Sequence, residues 1–203
     1  MSTIENVTVE VSDTATAAAF YAAAFPEVAE RVRVSASSAP TSGYRGFTLS
    51  LVVANPASVR RLIDSAAAAG ATVLRPATKS LWGYGGAVQA PDGTIWTVAS
   101  SSKKDTGPAT AQIEEFVLQL GVADVSASKQ FYTEHGFTVT KSYGRKYVEL
   151  DTGPVKLTLN KHKSLAKTAG IPAEGSGSHR LRVGTDAAAF TDPDGFVWGQ
   201  PSE

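Results

Sequence analysis

The chain has 203 residues, 42% of them hydrophobic, with 19 basic and 19 acidic side chains and no cysteine. That composition suits one or two globular domains and excludes disulfides, thiolate metal sites and cysteine nucleophiles. The balanced charge offers no basic stripe for nucleic acid or for a membrane surface. No run approaches the ~18 apolar residues of a membrane span and the start, Met1-Ser2-Thr3-Ile4, shows no secretory pattern, so a cytoplasmic protein is expected.

Val7, Val9 and Val11 alternate with Asn6, Thr8 and Glu10, the period-two pattern of a half-buried strand. Asp13 stands at the N-cap position of an alanine-rich helix over residues 14–25, which Pro26 stops. Residues 44–53 read as a strand. Asn55-Pro56 starts a second helix over 57–69, ended by Gly70. A short strand at Val73-Leu74 leads into Trp82-Gly83-Tyr84-Gly85-Gly86, read as a flexible loop. Residues 87–90 and 94–100 flank Pro91-Asp92-Gly93, whose proline and glycine suit a hairpin turn.

Residues 101–108 are polar and rich in turn formers, the best linker in the chain. Beyond it come a strand over 115–122, the N-cap Asp124, a helix to His135, and strands over 146–150 and 155–160. A turn is expected around 164–169, with His162 on a solvated stretch between Lys161 and Lys163, and an exposed loop at 175–178.

The two halves repeat each other. Val11-Ser12-Asp13 followed by Phe20-Tyr21 returns as Val122-Ala123-Asp124 followed by Phe131-Tyr132. Ala90-Pro91-Asp92-Gly93-Thr94-Ile95-Trp96 returns as Asp192-Pro193-Asp194-Gly195-Phe196-Val197-Trp198. Two signatures in the same order mark a duplicated module. Residues 1–101 form the first module, 102–110 the linker, and 111–203 the second module with a shortened second helix.

These repeated motifs resemble the vicinal oxygen chelate superfamily, which includes glyoxalase I, bleomycin-resistance proteins and extradiol dioxygenases. The resemblance covers almost the whole chain. It implies an α+β fold in which two tandem βαβββ modules form a curled mixed sheet with a cleft between them. Superfamily members that use a metal take ligands from the first and last strands of each module. The corresponding positions here hold Asn6, Thr97, Val117 and Gly199. Asparagine and threonine offer only weak neutral oxygens, and valine and glycine offer no side-chain donor. No metal and no cofactor are therefore expected.

Strand alternation selects the cleft-lining side chains. The expected ligand contacts are Asn6, Thr8, Glu10, Ser50, Thr97, Gln119, Tyr147, Lys156 and Thr158. Trp82 and Tyr84, in their glycine-rich stretch, could stack on a planar ligand, and His179 is the histidine best placed for the cleft. Trp96 and Trp198 have the opposite parity and are expected in the core. Glu10 and Glu149 are the candidate acid–base groups. The preferred reading is metal-independent binding of a small molecule, planar or antibiotic-like, by a monomer or homodimer without nucleic-acid or membrane partners. The competing reading is a glyoxalase-like lyase or isomerase using a carboxylate base or an atypical metal site. A third is a scaffold protein without turnover.

Overall fold

A computed structural model describes residues 2–201; Met1, Ser202 and Glu203, at the ends of the two-module reading, lie outside the described residues. In chain order the elements are β1 (Ile4–Val11), α1 (Thr14–Ala24), β2 (Val32–Ala36), β3 (Thr41–Gly43), β4 (Phe47–Val52), α2 (Pro56–Ala68), β5 (Thr72–Ser80), β6 (Gly83–Gln89) and β7 (Ile95–Ser100). They continue as β8 (Glu115–Val122), α3 (Val125–Glu134), β9 (Thr138–Ser142), β10 (Tyr147–Asp151), β11 (Lys156–Lys161), α4 (His162–Ala169), β12 (Gly175–Gly177), β13 (Leu181–Thr185), β14 (Phe190–Thr191) and β15 (Val197–Gly199).

The three long helices begin where their caps dictate. Asp13 accepts from the Thr16 amide at 3.0 Å, Asn55 from Ser58 at 2.9 Å, and Asp124 from Ser126 and Ala127 at 2.8 and 3.1 Å. Each satisfies amides that an uncapped first turn would leave orphaned.

The strands form an eight-stranded mixed sheet, ordered β5-β6-β7-β4-β8-β11-β10-β9, and a five-stranded sheet, ordered β14-β15-β13-β1-β2. The large sheet is two complete βαβββ units, β4-α2-β5-β6-β7 and β8-α3-β9-β10-β11, joined by the antiparallel pair β4–β8. The fold is thus α+β with curled mixed sheets, as the resemblance implies. Each sequence half feeds both sheets: β1 and β2 come from before the linker, and β13 to β15 from the C-terminal end.

Alternation sends Leu49, Leu51, Leu118 and Leu120 from the large sheet, and Val7, Val9 and Val11 from the small one, into one shared core. Each such side chain contributes about 1.5–3 kcal/mol on burial. Trp96 stacks on Phe116 at 5.9 Å, Trp198 stacks on Phe190 at 5.2 Å, and the Phe47–Phe196 edge contact links the two sheets. Both tryptophans are core residues, as their parity requires.

Five local expectations need correction. The stretch after Trp82 is not a loop but strand β6, and β5 runs far beyond Val73-Leu74. Its glycines serve close packing: a Cβ on Gly83, whose φ is +148°, would collide with the Ser100 carbonyl oxygen. The turn expected at 164–169 is helix α4, which buries Leu165, Ala166 and Ala169 along one side. His162 is not on a solvated stretch: its Nδ1 and Nε2 lie 3.3 and 2.9 Å from the carbonyl oxygens of Gly121 and Ala173. Finally, residues 175–177 pair with β3 instead of forming a free loop.

Candidate functional site

One face of the eight-stranded sheet is packed against α2 and α3; the opposite, inner face carries the residues of alternate parity. Two rows of strand partners cross this inner face. One reads Thr97, Ser50, Val117 and Lys156. The other reads Thr48, Gln119, Thr158 and Glu149. Thr48, Ser50, Thr97 and Thr158 are all buried although polar, so this is not a solvated sheet surface.

Six residues expected at the cleft meet around one cavity of about 200 Å³: Ser50, Gln119, Tyr147, Glu149, Lys156 and Thr158. They come from β4, β8, β10 and β11, that is, from both βαβββ units. Thr97 is buried beside Ser50 on the same row. Thr48 donates to the Gln119 Oε1 at 2.9 Å, which orients that amide. The Tyr147 hydroxyl donates to Glu149 Oε2 at 3.2 Å. Burial, reinforced by the Glu149 charge, holds the Tyr147 phenol above its ordinary range, so it acts as a donor.

Sequence reasoning missed Glu115. It lies two residues before Val117 on β8, so the same alternation signals it. The Lys156 ammonium donates to Glu115 Oε1 at 2.6 Å, and that bond holds the ammonium above its ordinary value against a smaller opposing effect of burial. The cavity wall thus carries two carboxylates, one ammonium, one phenol, one amide and two hydroxyls.

Helix α4 lies on this inner face. A Cβ on Gly121 of β8 would stand 3.1 Å from the His162 Cα and 3.3 Å from the Tyr44 hydroxyl. Tyr44, Leu165 and Ala166 form a small second core with Ile171 and Ala173. That helix covers part of the floor and leaves the polar cavity at one side.

The remaining expected site residues are elsewhere. Asn6, Thr8 and Glu10 lie on β1 in the five-stranded sheet. Thr8 borders a separate cavity of about 250 Å³, and Glu10 pairs with Arg182 at 2.8 Å. His179 has Nδ1 2.6 Å from the Arg45 carbonyl and Nε2 3.0 Å from that of Asp194, with its ring stacked on Phe196 at 4.0 Å. It and Glu10 border a further cavity of about 350 Å³. Trp82, 86% exposed, sits at the β5–β6 turn. The Arg60 guanidinium of α2 lies 5.7 Å from the Tyr84 ring centre.

The positions that the resemblance assigns to metal ligands do come into register. Thr97 and Val117 flank Ser50 on the large sheet; Asn6 and Gly199 flank Gly184 on the small one. The donors do not fit a divalent cation. The first row supplies hydroxyls and a valine, with the Lys156 ammonium as its next member. The second supplies one amide beside two glycines. Among the described residues, no group of three histidine or carboxylate side chains is arranged to hold a metal, and no helix is long and apolar enough to cross a membrane.

No protein-family model matches the sequence, and no curated protein matches it. Solved structures match in fold. Glyoxalase I from Zea mays superposes with TM-score 0.62 at 16% identity, covering 98% of this chain and 91% of that chain. A variant of the maize enzyme gives TM-score 0.63 at 15% identity, covering 97% and 92%. A glyoxalase/bleomycin resistance protein/dioxygenase family enzyme from Burkholderia phytofirmans covers 49% of this chain and 98% of its own at 20% identity, with TM-score 0.43. At 15–16% identity the likeness to the maize enzyme establishes a glyoxalase-like fold alone and leaves the chemistry to the site itself.

Proposed function

We propose that this glyoxalase-fold chain binds a small polar molecule, without a metal, on the inner face of its eight-stranded sheet. The observation that carries the reading is the convergence of Ser50, Gln119, Tyr147, Glu149, Lys156 and Thr158, from four strands and both βαβββ units, on one cavity. A volume of about 200 Å³ lies below the ~300–1,000 Å³ of drug-sized sites. It favours a compact ligand over an antibiotic-like one. Metal independence is supported by the donor set: an ammonium stands where a cation would have to approach, and the ligand positions hold Asn6, Thr97, Val117 and Gly199.

The test is a thermal-shift screen of small hydroxy acids and hydroxylated amines on the whole protein, in EDTA and again with Zn²⁺, Ni²⁺ or Mn²⁺. Binding to the native state alone stabilises by RT ln(1 + [L]/Kd), about 2.7 kcal/mol at a hundredfold excess over Kd. At least one compound should raise Tm equally in EDTA and with metal, and Lys156→Gln should abolish that rise. A response that requires metal, or none across the panel, overturns the proposal.

A further inference from the structure

A further cavity lies beside the outer strands of the large sheet, away from the polar one. It encloses about 440 Å³, within the range of sites that bury small organic ligands, and only Ala99 borders both cavities. Its walls are the outer strands β5 to β7 and the C-terminal turn of α4. The charged residues lining it are Arg75 and Lys167, with no acidic side chain among them. Ser80 and Thr168 add hydroxyls, and Trp82 stands at the rim.

Arg75 is positioned by an irregularity in its strand. The β5–β6 register shifts between Val73 and Arg75 and again between Arg75 and Thr78, around Pro76, which cannot donate to the ladder. Such bulges re-aim a side chain. The Arg75 Nε is shielded from solvent with no hydrogen-bond partner among the described residues, although a buried donor ordinarily finds one. Arg75 also lines the cavity, and a guanidinium there is suited to pair with a carboxylate. The ring of Trp82, with no aromatic or cationic partner among the described residues, offers a face for stacking.

We infer that the cavity between Arg75, Lys167 and Trp82 is a second binding site, for a flat aromatic carboxylate. The carboxylate pairs with the Arg75 fork, Lys167 supplies a further positive charge, and the ring lies towards Trp82. The inference stands independently of the polar cavity, because the two sites share no charged residue.

Calorimetric titration with 2-naphthoate tests it, with 2-naphthamide as the uncharged counterpart. The acid should bind at least about tenfold more tightly than the amide, and its affinity should fall as salt is raised. Arg75→Gln and Lys167→Gln should each weaken it several-fold, whereas Lys163→Gln, the same charge loss on α4 away from the cavity, should not. Trp82 is the exposed tryptophan, Trp96 and Trp198 being buried, so binding should quench a fluorescence component that Trp82→Phe removes. If Arg75→Gln fails to fold, the exposed Lys167 variant still decides. Equal binding of acid and amide, equal effects of the Lys163 and Lys167 variants, or no binding of 2-naphthoate overturns the assignment.

Discussion

The Tyr21 hydroxyl of α1 donates a 2.5 Å hydrogen bond to the Asp92 carboxylate in the β6–β7 turn. Tyr132 of α3 makes the same bond to Asp192 beside the β14–β15 turn. The two repeated sequence signatures are therefore halves of one contact: the helical signature supplies the phenol and the turn signature the acid. In both copies burial, then the aspartate charge, holds the phenol well above its ordinary value, so it remains a donor.

Removing that donor should be costly where the acid is most enclosed. Asp192 is buried, and its other oxygen accepts from the Asp194 and Phe196 amides. Tyr132→Phe should lower the unfolding free energy by about 1.5–3 kcal/mol, the range for a hydrogen bond to a charged group. Tyr21→Phe should cost less, because Asp92 is partly exposed. Urea denaturation of the two variants measures the difference, and wild-type midpoints for both would refute it.

Acid should destabilise the protein. Helix-start amides hold the Asp13 and Asp124 carboxyls below the ordinary 3.8, and Asp105 and Asp186 are lowered by Arg60 and the Thr3 amide. A depressed folded value means stability present above 3.8 and lost as pH falls through the folded value. Asp192 runs the other way: burial raises it, so its contribution is greatest below 3.8 and declines as pH rises through the folded value. Four groups oppose one, so Tm should fall as pH is lowered from 5 towards 3. Asp124→Asn, which keeps a capping oxygen but cannot titrate, should flatten that fall.

Helix α4 should depend on the absence of a side chain beneath it. Gly121→Val would push branched methyls towards His162 and the Gly46 carbonyl, each already within about 3.1 Å of a Cβ position. Overpacking of this kind costs about 1–3 kcal/mol. Amide exchange should accelerate over 162–173 while β8 and β11 stay protected. Unchanged exchange in α4 would show that the helix does not rest on Gly121.

The Lys156–Glu115 pair should matter for binding and hardly for folding. Both side chains are more than a third exposed, and solvent screening reduces such pairs to less than about 1 kcal/mol. Lys156→Gln should therefore leave the urea midpoint nearly unchanged while removing the ligand-induced Tm rise. A large loss of intrinsic stability would make the lysine structural.

The sequence by itself determined what neighbours along the chain can encode. The caps Asp13, Asn55 and Asp124 and the inward alternation of Ser50, Gln119, Glu149 and Thr158 were legible there, because capping acts over three residues and strand parity over two. Glu115 was equally legible by that parity. Only the tertiary structure decided which strands pair and what covers the faces. No local spacing says that β4 joins β8, that α4 settles over Gly121, or that Asn6, Thr8 and Glu10 line a different sheet from Ser50 and Gln119. The glycines at 83, 85 and 86 suggested a mobile loop because the close strands that require them are distant in sequence. Arg75 carried no signal for a related reason: its exposure to a cavity arises from a register shift against β6 and from the end of a helix about ninety residues away.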